Sequence, residues 1–500
     1  MKSSFTGPAA LTVLLFFSII IPVTSSAQQV FEREVVTVSN LGVSFTNVGT
    51  IGNPNINSVP TGPPSLEYPK NSGTEHLFEA GIWLGATVDG QTRVSSSAVT
   101  NSAGYRTGAA GFEFTNDGLP FEVRSSLEES PNFSPVAVSH EDLVAEFSDR
   151  NTRVGSIPIA GHDNPLEADV RMESYNWNFG FAEALTIIKY EITNNSNTSW
   201  ENFYFSMYSD MVVRNVNTTL ESGSQFYNKG GMGWLDDQYA LYVFDRASAD
   251  EKQNTYSASV ILGSEYRGVE FHPRRADEVQ AAGLEVPGIS PDFWLFGSGA
   301  GEYSRPNDDL ERYNRMTSEW PLEENRERLR EDGANSAGNF IQLNTIGPYP
   351  EIEAGETVTL YVAFVTALMP EQYQDVLPAN VPFGEADQLD NEESRANLVE
   401  NIGWAYRLFD GQENEDGSRT RFLVPEPPAA PNMRVELEAG KAVVYWDDRA
   451  ESSIDPVTEL QDFAGYKLYR TQLGDDLDGT ISSSAQVLRE WDIQGDGQNF

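Results

Sequence analysis

The chain has 500 residues, no cysteine, and 33 basic against 75 acidic side chains, a formal charge of −42. That length holds roughly two to four domains and buries a large core without covalent staples. Disulfides and thiolate metal sites are excluded, and so strong a negative charge disfavours nucleic acid, because one polyanion repels another.

The acids are spread along the whole chain, and only seven of the basic residues are Lys. This reads as a solvated acidic surface suited to a salty medium, where salt screens the repulsion. Calcium sites and a basic partner are the other readings of the same charge.

Residues 1–27 have the features of a signal peptide: Lys2, an apolar run from Ala9 to Val23, and Ser25-Ser26-Ala27 as a small-residue cleavage site. The run is shorter than a membrane anchor requires, and no second run of that length follows. The expected product is secreted, extracellular or on the outer cell surface, with no integral membrane segment after cleavage. An exported chain without cysteine points to a bacterium.

From Gln28 to about Lys70 the sequence suggests short strands and loops. LFEAGIWLGATVDGQTRVSSSAV is then the clearest hairpin. Phe78, Ala80, Ile82, Leu84, Ala86 and Val88 alternate onto one face, and Asp89-Gly90 suits a type I′ turn. Trp83 falls on the other face between Gly81 and Gly85, which leave room for a further layer. Residues 101–165 are irregular and acidic, with short strands expected near Phe112–Phe114 and a short helix around Glu141–Phe147.

The densest strand signal lies between Arg171 and Val213. Ala184, Thr186, Ile188, Tyr190 and Ile192 alternate with Leu185, Ile187, Lys189, Glu191 and Thr193, so one face is mostly apolar and the other turns polar toward its end. Asn194–Ser199 is a polar turn cluster, and Phe203, Phe205, Tyr208 and Met211 mark the next strand. Further strands are expected at Tyr239–Phe244, Tyr256–Leu262 and around Val358, Leu360, Val362 and Phe364. Asp308–Arg330 has helical composition interrupted by Pro321. The clearest helix carries Leu398, Ile402, Ala405 and Phe409 on one face, with Asp390 and Glu393 as a capping box and Gly411 at its C-terminal cap.

Pro425-Glu426-Pro427-Pro428 marks a linker. The expected organisation is therefore a signal peptide (1–27), an N-terminal β-rich region (28–165), a central β-sandwich region ending in a helix (166–424) and a last unit (425–500). In that unit MRVELEAGKAVVYWDD and DFAGYKLYRT have the pattern of strands A, B and C of a fibronectin type III sandwich, with Trp446 in the core. Such a sandwich takes ~100 residues, more than remain after Pro428, so the chain is expected to continue past Phe500. The fold class is mainly β: a large antiparallel β-sandwich region with one or two helices, then a partial fibronectin type III (immunoglobulin-like) sandwich.

Several stretches together resemble large secreted bacterial surface proteins of the type IX secretion-associated kind. They are EYPKNSG before LFEAGIWLGATVDG, SYNW before LTIIKYEITNNS, YFSMYSDM, YRGVEF, GPYPEIEAGETVTLYVAF and WDDRAESSIDPVTELQDFAGYKLYR. The resemblance implies a surface protein with fibronectin type III modules and a C-terminal sorting domain outside these 500 residues. No enzymatic activity comes with it.

His76, His140, His162 and His272 lack metal-ligand spacing, and no hydrolase or phosphate-loop motif is present. A glycosidase pair of carboxylates leaves no signature among so many acids. Asp447, Glu451, Asp455 and Asp462 crowd one loop as candidate calcium ligands. Trp83, Trp177 and Trp200 are candidate sugar-stacking residues, with core packing as the competing role. The expectation is a structural or adhesive protein without catalytic activity or cofactor, calcium apart, whose partners are other surface proteins or polysaccharide. The alternative is a carbohydrate-binding or glycoside-degrading protein.

Overall fold

The structure is a computed structural model. It describes residues 31–53, 62–99, 105–218, 229–246, 252–275, 277–296, 301–317, 322–374, 377–378, 381–414, 419–424, 428–455, 460–461, 463–470 and 486–492.

Two antiparallel sheets face each other. The eight-stranded sheet runs in the order Arg33–Val35, Gly42–Thr46, Leu66–Glu67, Thr74–Val88, Trp200–Asn215, Phe340–Ile352, Gly288–Leu295, with Gln91–Ser96 also paired to Thr74–Val88. The nine-stranded sheet runs Gly230–Leu235, Ala240–Asp245, Thr255–Tyr266, Thr357–Leu368, Leu185–Asn194, Ala168–Asn176, Glu141–Ser148, Glu122–Arg124, with Val269–Phe271 paired to Thr255–Tyr266. Residues expected to form separate N-terminal and central regions thus build one sandwich: strands from before and after residue 166 pair within both sheets.

The alternation in Leu185–Asn194 explains the layering, because successive side chains of a strand point to opposite faces. Ala184, Ile188, Tyr190 and Ile192 join Val358, Leu360, Val362 and Phe364 in the core between the sheets. Leu185 and Ile187 point the other way, into a second core with Tyr361, Ala363 and Val365. The helix Ala396–Asp410 covers that second core with Leu398, Ile402, Ala405, Tyr406 and Phe409. Gly411 ends the helix as expected, its N–H bonding the Arg407 carbonyl at φ 57°. Its start differs from expectation, with Arg395 at the N-cap position and Asp390 drawn away to two tyrosines.

The outer face of the eight-stranded sheet carries a third core of Trp83, Tyr208, Trp294, Ile341 and Leu343, closed by Met316. Met316 ends the helix Asp309–Met316, capped by Asp308 accepting from Glu311 N at 2.9 Å. Arg312–Glu113 at 3.0 Å and Arg315–Asp292 at 3.1 Å anchor this helix through buried ion pairs, the second to the strand Gly288–Leu295. A Cβ on Gly85 would stand 2.8 Å from Met316 Sδ, so the glycine beside Trp83 makes room for the helix. The hairpin turn at Asp89-Gly90 has positive φ at both residues, 51° and 74°. The alternation before it breaks near Phe78: the register slips between Asp210↔Glu79 and Met211↔Leu77, putting Leu77 rather than Phe78 in the central core.

Two further expectations are corrected. Glu141–Ser148 is a strand rather than a helix, because Leu143, Ala145 and Phe147 fill the inter-sheet core while the backbone bonds Ala168–Asn176. Phe112 and Phe114 are buried without belonging to a strand. Near the C-terminus, Met433–Glu438 pairs with Lys441–Trp446 and Gly465–Arg470 with Gln486–Asp492. The Trp446 ring lies 5.8 Å from Tyr466 and 5.0 Å from Trp491, joining the two hairpins. No helix among the described residues is long and apolar enough to cross a membrane.

Candidate functional site: a polar groove on the nine-stranded sheet

The helix Ala396–Asp410 covers only part of its sheet face. Beyond it the outward side chains become polar, and a groove of about 610 Å³ opens over Glu146, Ser148, Asp169, Arg171, Glu191, Thr193 and Thr357, walled by Asn116, Asp117, Leu119 and Arg150. Strand register assembles this floor. Arg171 lies opposite Glu146 on one neighbour and Glu191 on the other, Asp169 opposite Ser148 and Thr193, and Thr193 opposite Thr357.

Arg171 is the hub. Its Nη1 donates to Glu146 Oε1 at 2.5 Å and its Nε to Glu173 Oε1 at 2.7 Å, with Glu191 Oε2 3.9 Å away. Lys189 Nζ bonds Glu191 at 2.7 Å, and Arg150 sits between Asp169 at 3.0 Å and Asp117 at 3.5 Å. The Thr193 and Thr357 hydroxyls bond each other at 2.7 Å. Burial works to raise Glu173, but the Tyr175 hydroxyl and Arg171 outweigh it and hold its carboxyl below the usual range. Partial burial raises Asp169, aided by Asp117 and Glu146 against the pull of Arg150.

Glu146 and Glu191 flank Arg171 from strands two apart, about 10 Å between backbones at the usual strand spacing. Each bonds a cation. A catalytic acid needs surroundings that disfavour its charge, whereas Glu146 and Glu191 each face a cation. What the groove offers is a row of hydroxyls, carboxylates and a guanidinium, all able to hydrogen-bond a hydroxyl-bearing chain laid across the strands.

The tryptophans proposed to stack on sugars do not reach this groove. Trp83, Trp177 and Trp200 are each 0% exposed. Trp83 Nε1 bonds the Ala98 carbonyl at 2.9 Å, Trp200 Nε1 the Leu166 carbonyl at 3.1 Å, and Trp177 lies in the core under Ala396–Asp410. The stacking role is therefore corrected to packing, since no ring face is open to a ligand.

The calcium candidates are not gathered either: among the described residues no three His, Cys, Asp or Glu side chains converge as metal ligands. Asp447 accepts from Asn432 Nδ2 at 2.6 Å and Asn432 N at 3.0 Å, with Arg449 at 3.5 Å. Glu451 is exposed, Asp455 is buried, and Asp462 lies outside the described residues. The histidines also stand apart. His76 bonds Leu66 O and Thr255, His162 the Asp149 carbonyl, and His272 pairs with Asp410.

The groove itself was not anticipated from sequence. Its one visible trace is the polar end of the outer face, Lys189, Glu191 and Thr193.

No family model and no curated protein matches the chain. Among solved structures, a protein described as an aldose 1-epimerase from Escherichia coli K12 is 8% identical, over 68% of this chain and 100% of that one, with a TM-score of 0.24. A polysaccharide lyase is 11% identical over 75% and 35%, at 0.24, and a TPR-domain containing protein from Parabacteroides distasonis is 9% identical over 72% and 58%, at 0.23. Similarity this low carries no argument about chemistry, and the architecture stands on the strand pairing itself: a mainly antiparallel β-sandwich, helix-covered on both outer faces.

Proposed function

We propose that this chain is an exported structural and adhesive protein of the bacterial surface, acting without catalysis, with the groove over Arg171 as its contact surface for polysaccharide. The observation that carries the reading is the ion-paired floor. Glu146, Glu173 and Glu191 are held by Arg171 and Lys189, which suits hydrogen bonding to hydroxyls and opposes proton transfer to a glycosidic oxygen. The apparent signal peptide supports export, and the two C-terminal hairpins meeting at Trp446 support a fibronectin type III-like unit.

The test is calorimetric titration with soluble neutral and acidic polysaccharides, beside a chromatographic search for cleaved products. Binding that weakens about tenfold in Glu191→Gln/Thr193→Ala, with the polysaccharide intact after a day, is expected. Cleavage products that disappear in Glu146→Gln would make the protein an enzyme and overturn the reading. Absence of binding to every polymer would remove the groove as its contact surface.

A further inference from the structure

A second cavity, of about 280 Å³, lies at the far edge of the nine-stranded sheet, and its lining is richer in cations than the chain as a whole. It is lined by the edge strand Gly230–Leu235 through Trp234, by Tyr242 on the next strand, by Arg326 and Arg330 from the helical turns after Leu322, and by Asp390 and Arg395 ahead of the long helix. Three guanidinium groups thus share one small space in a protein where acids outnumber bases 75 to 33.

The two acids in the lining are already engaged. Asp390 accepts from Tyr242 at 2.7 Å, Tyr256 at 3.1 Å and Arg395 Nη1 at 2.7 Å. Asp236 Oδ1 lies 2.7 Å from Arg326 Nε as an ion pair. Donors are left over. Among the described residues, Arg395 is bonded only through Nη1, and the buried Trp234 Nε1 has no hydrogen-bond acceptor. Buried donors are nearly always satisfied by protein or by something bound. A planar guanidinium pairs best with a planar or tetrahedral oxoanion through two parallel bonds.

We propose that this cavity binds a small oxoanion, a carboxylate or phosphate group, held by Arg326, Arg330 and Arg395 with the Trp234 indole N–H as a fourth donor. The site is separate from the groove over Arg171 and does not rest on a role for it. Glu323, exposed at the rim, bonds Arg330 at 3.2 Å and reaches Arg326 at 3.5 Å. It is the resident competitor that an incoming anion displaces.

The test titrates the full chain with inorganic phosphate and, separately, with glucuronate, at constant ionic strength set by sodium chloride. The readout is intrinsic fluorescence, with Trp234→Phe identifying the responding indole. A saturable change absent from Trp234→Phe is expected. Arg326→Gln/Arg330→Gln should weaken the affinity at least tenfold, and Glu323→Gln should strengthen it several-fold. Because Glu323 is exposed, its loss does not threaten folding, and this gain is a result that mere damage cannot produce. A response to phosphate alone, or to glucuronate alone, assigns the anion class and supports the site. No saturable response to either anion, or equal affinity in wild type and both sets of variants, overturns it.

Discussion

Asp210 and Glu75 share one buried cation, and that arrangement sets how the protein responds to alkali. Arg214, 0% exposed, lies opposite Glu75 in the strand register and stacks 3.8 Å from the centre of the Phe78 ring. Burial raises both carboxyls against the pull of Arg214, Glu75 to about 7 and Asp210 to about 8. Glu75 also accepts the Ser65 and Leu66 amides, at 3.1 and 2.8 Å, whereas Asp210 Oδ1 has no hydrogen-bond partner among the described residues. Glu75 is therefore the better counter-ion, and Asp210 keeps its proton. A carboxyl raised in the folded state contributes stability that is full below its unfolded value near 4 and is lost as pH rises through about 8. At ~1.36 kcal/mol per tenfold change in proton affinity, the full loss is on the order of 5–6 kcal/mol, most of it between pH 5 and 8. Asp210→Asn removes the titration while keeping the shape. Urea unfolding at pH 5, 7 and 9 should show the variant gaining on wild type by several kcal/mol toward pH 9, with little difference at pH 5. A stability difference that stays constant from pH 5 to 9 would refute the reasoning.

His76 titrates in the opposite direction. Burial lowers it to about 4 and so keeps the ring neutral, with Nδ1 donating to the Leu66 carbonyl and Nε2 accepting from the Thr255 hydroxyl. Its contribution is present above pH 6.5 and lost as pH falls toward 4, up to about 3 kcal/mol, and His76→Gln should flatten that acid limb of the unfolding curve. Trp83→Ala should cost about 3–5 kcal/mol by urea unfolding while leaving polysaccharide titrations unchanged, because its ring is enclosed under Met316. Asp390→Ala strands Arg395 and the Tyr242 hydroxyl and should cost about 3–5 kcal/mol, against a smaller loss for Asp390→Asn.

The layers were legible wherever one strand served two cores. In Leu185–Asn194 the alternation assigned each side chain to its face, and the two glycines beside Trp83 announced a covering layer. Glu141–Phe147 misled because Glu, Leu and Ala favour helix locally, while pairing on both sides and three core-facing side chains favour strand. Asp390 looked like a helix cap because spacing alone cannot show that Tyr242 and Tyr256 claim it. The groove was hidden for a related reason. Its floor gathers residues from Glu146 to Thr357, each within its strand indistinguishable from an ordinary solvated position, and only the register makes them neighbours.

The ends of the two sheets bear on how copies of this chain meet one another. Arg33–Val35 and Glu122–Arg124 are three residues long. Gly288–Leu295 carries Pro291, whose carbonyl is taken by Asn325. Gly230–Leu235 is closed by Gly333, where a Cβ would stand 2.7 Å from Met232. Among the described residues, each of these four strands offers an approaching neighbour only a short, interrupted or covered row of free amides, which disfavours the strand-to-strand fusion that exposed sheets invite. Copies of the chain can then meet edge to edge at high concentration while remaining separate molecules.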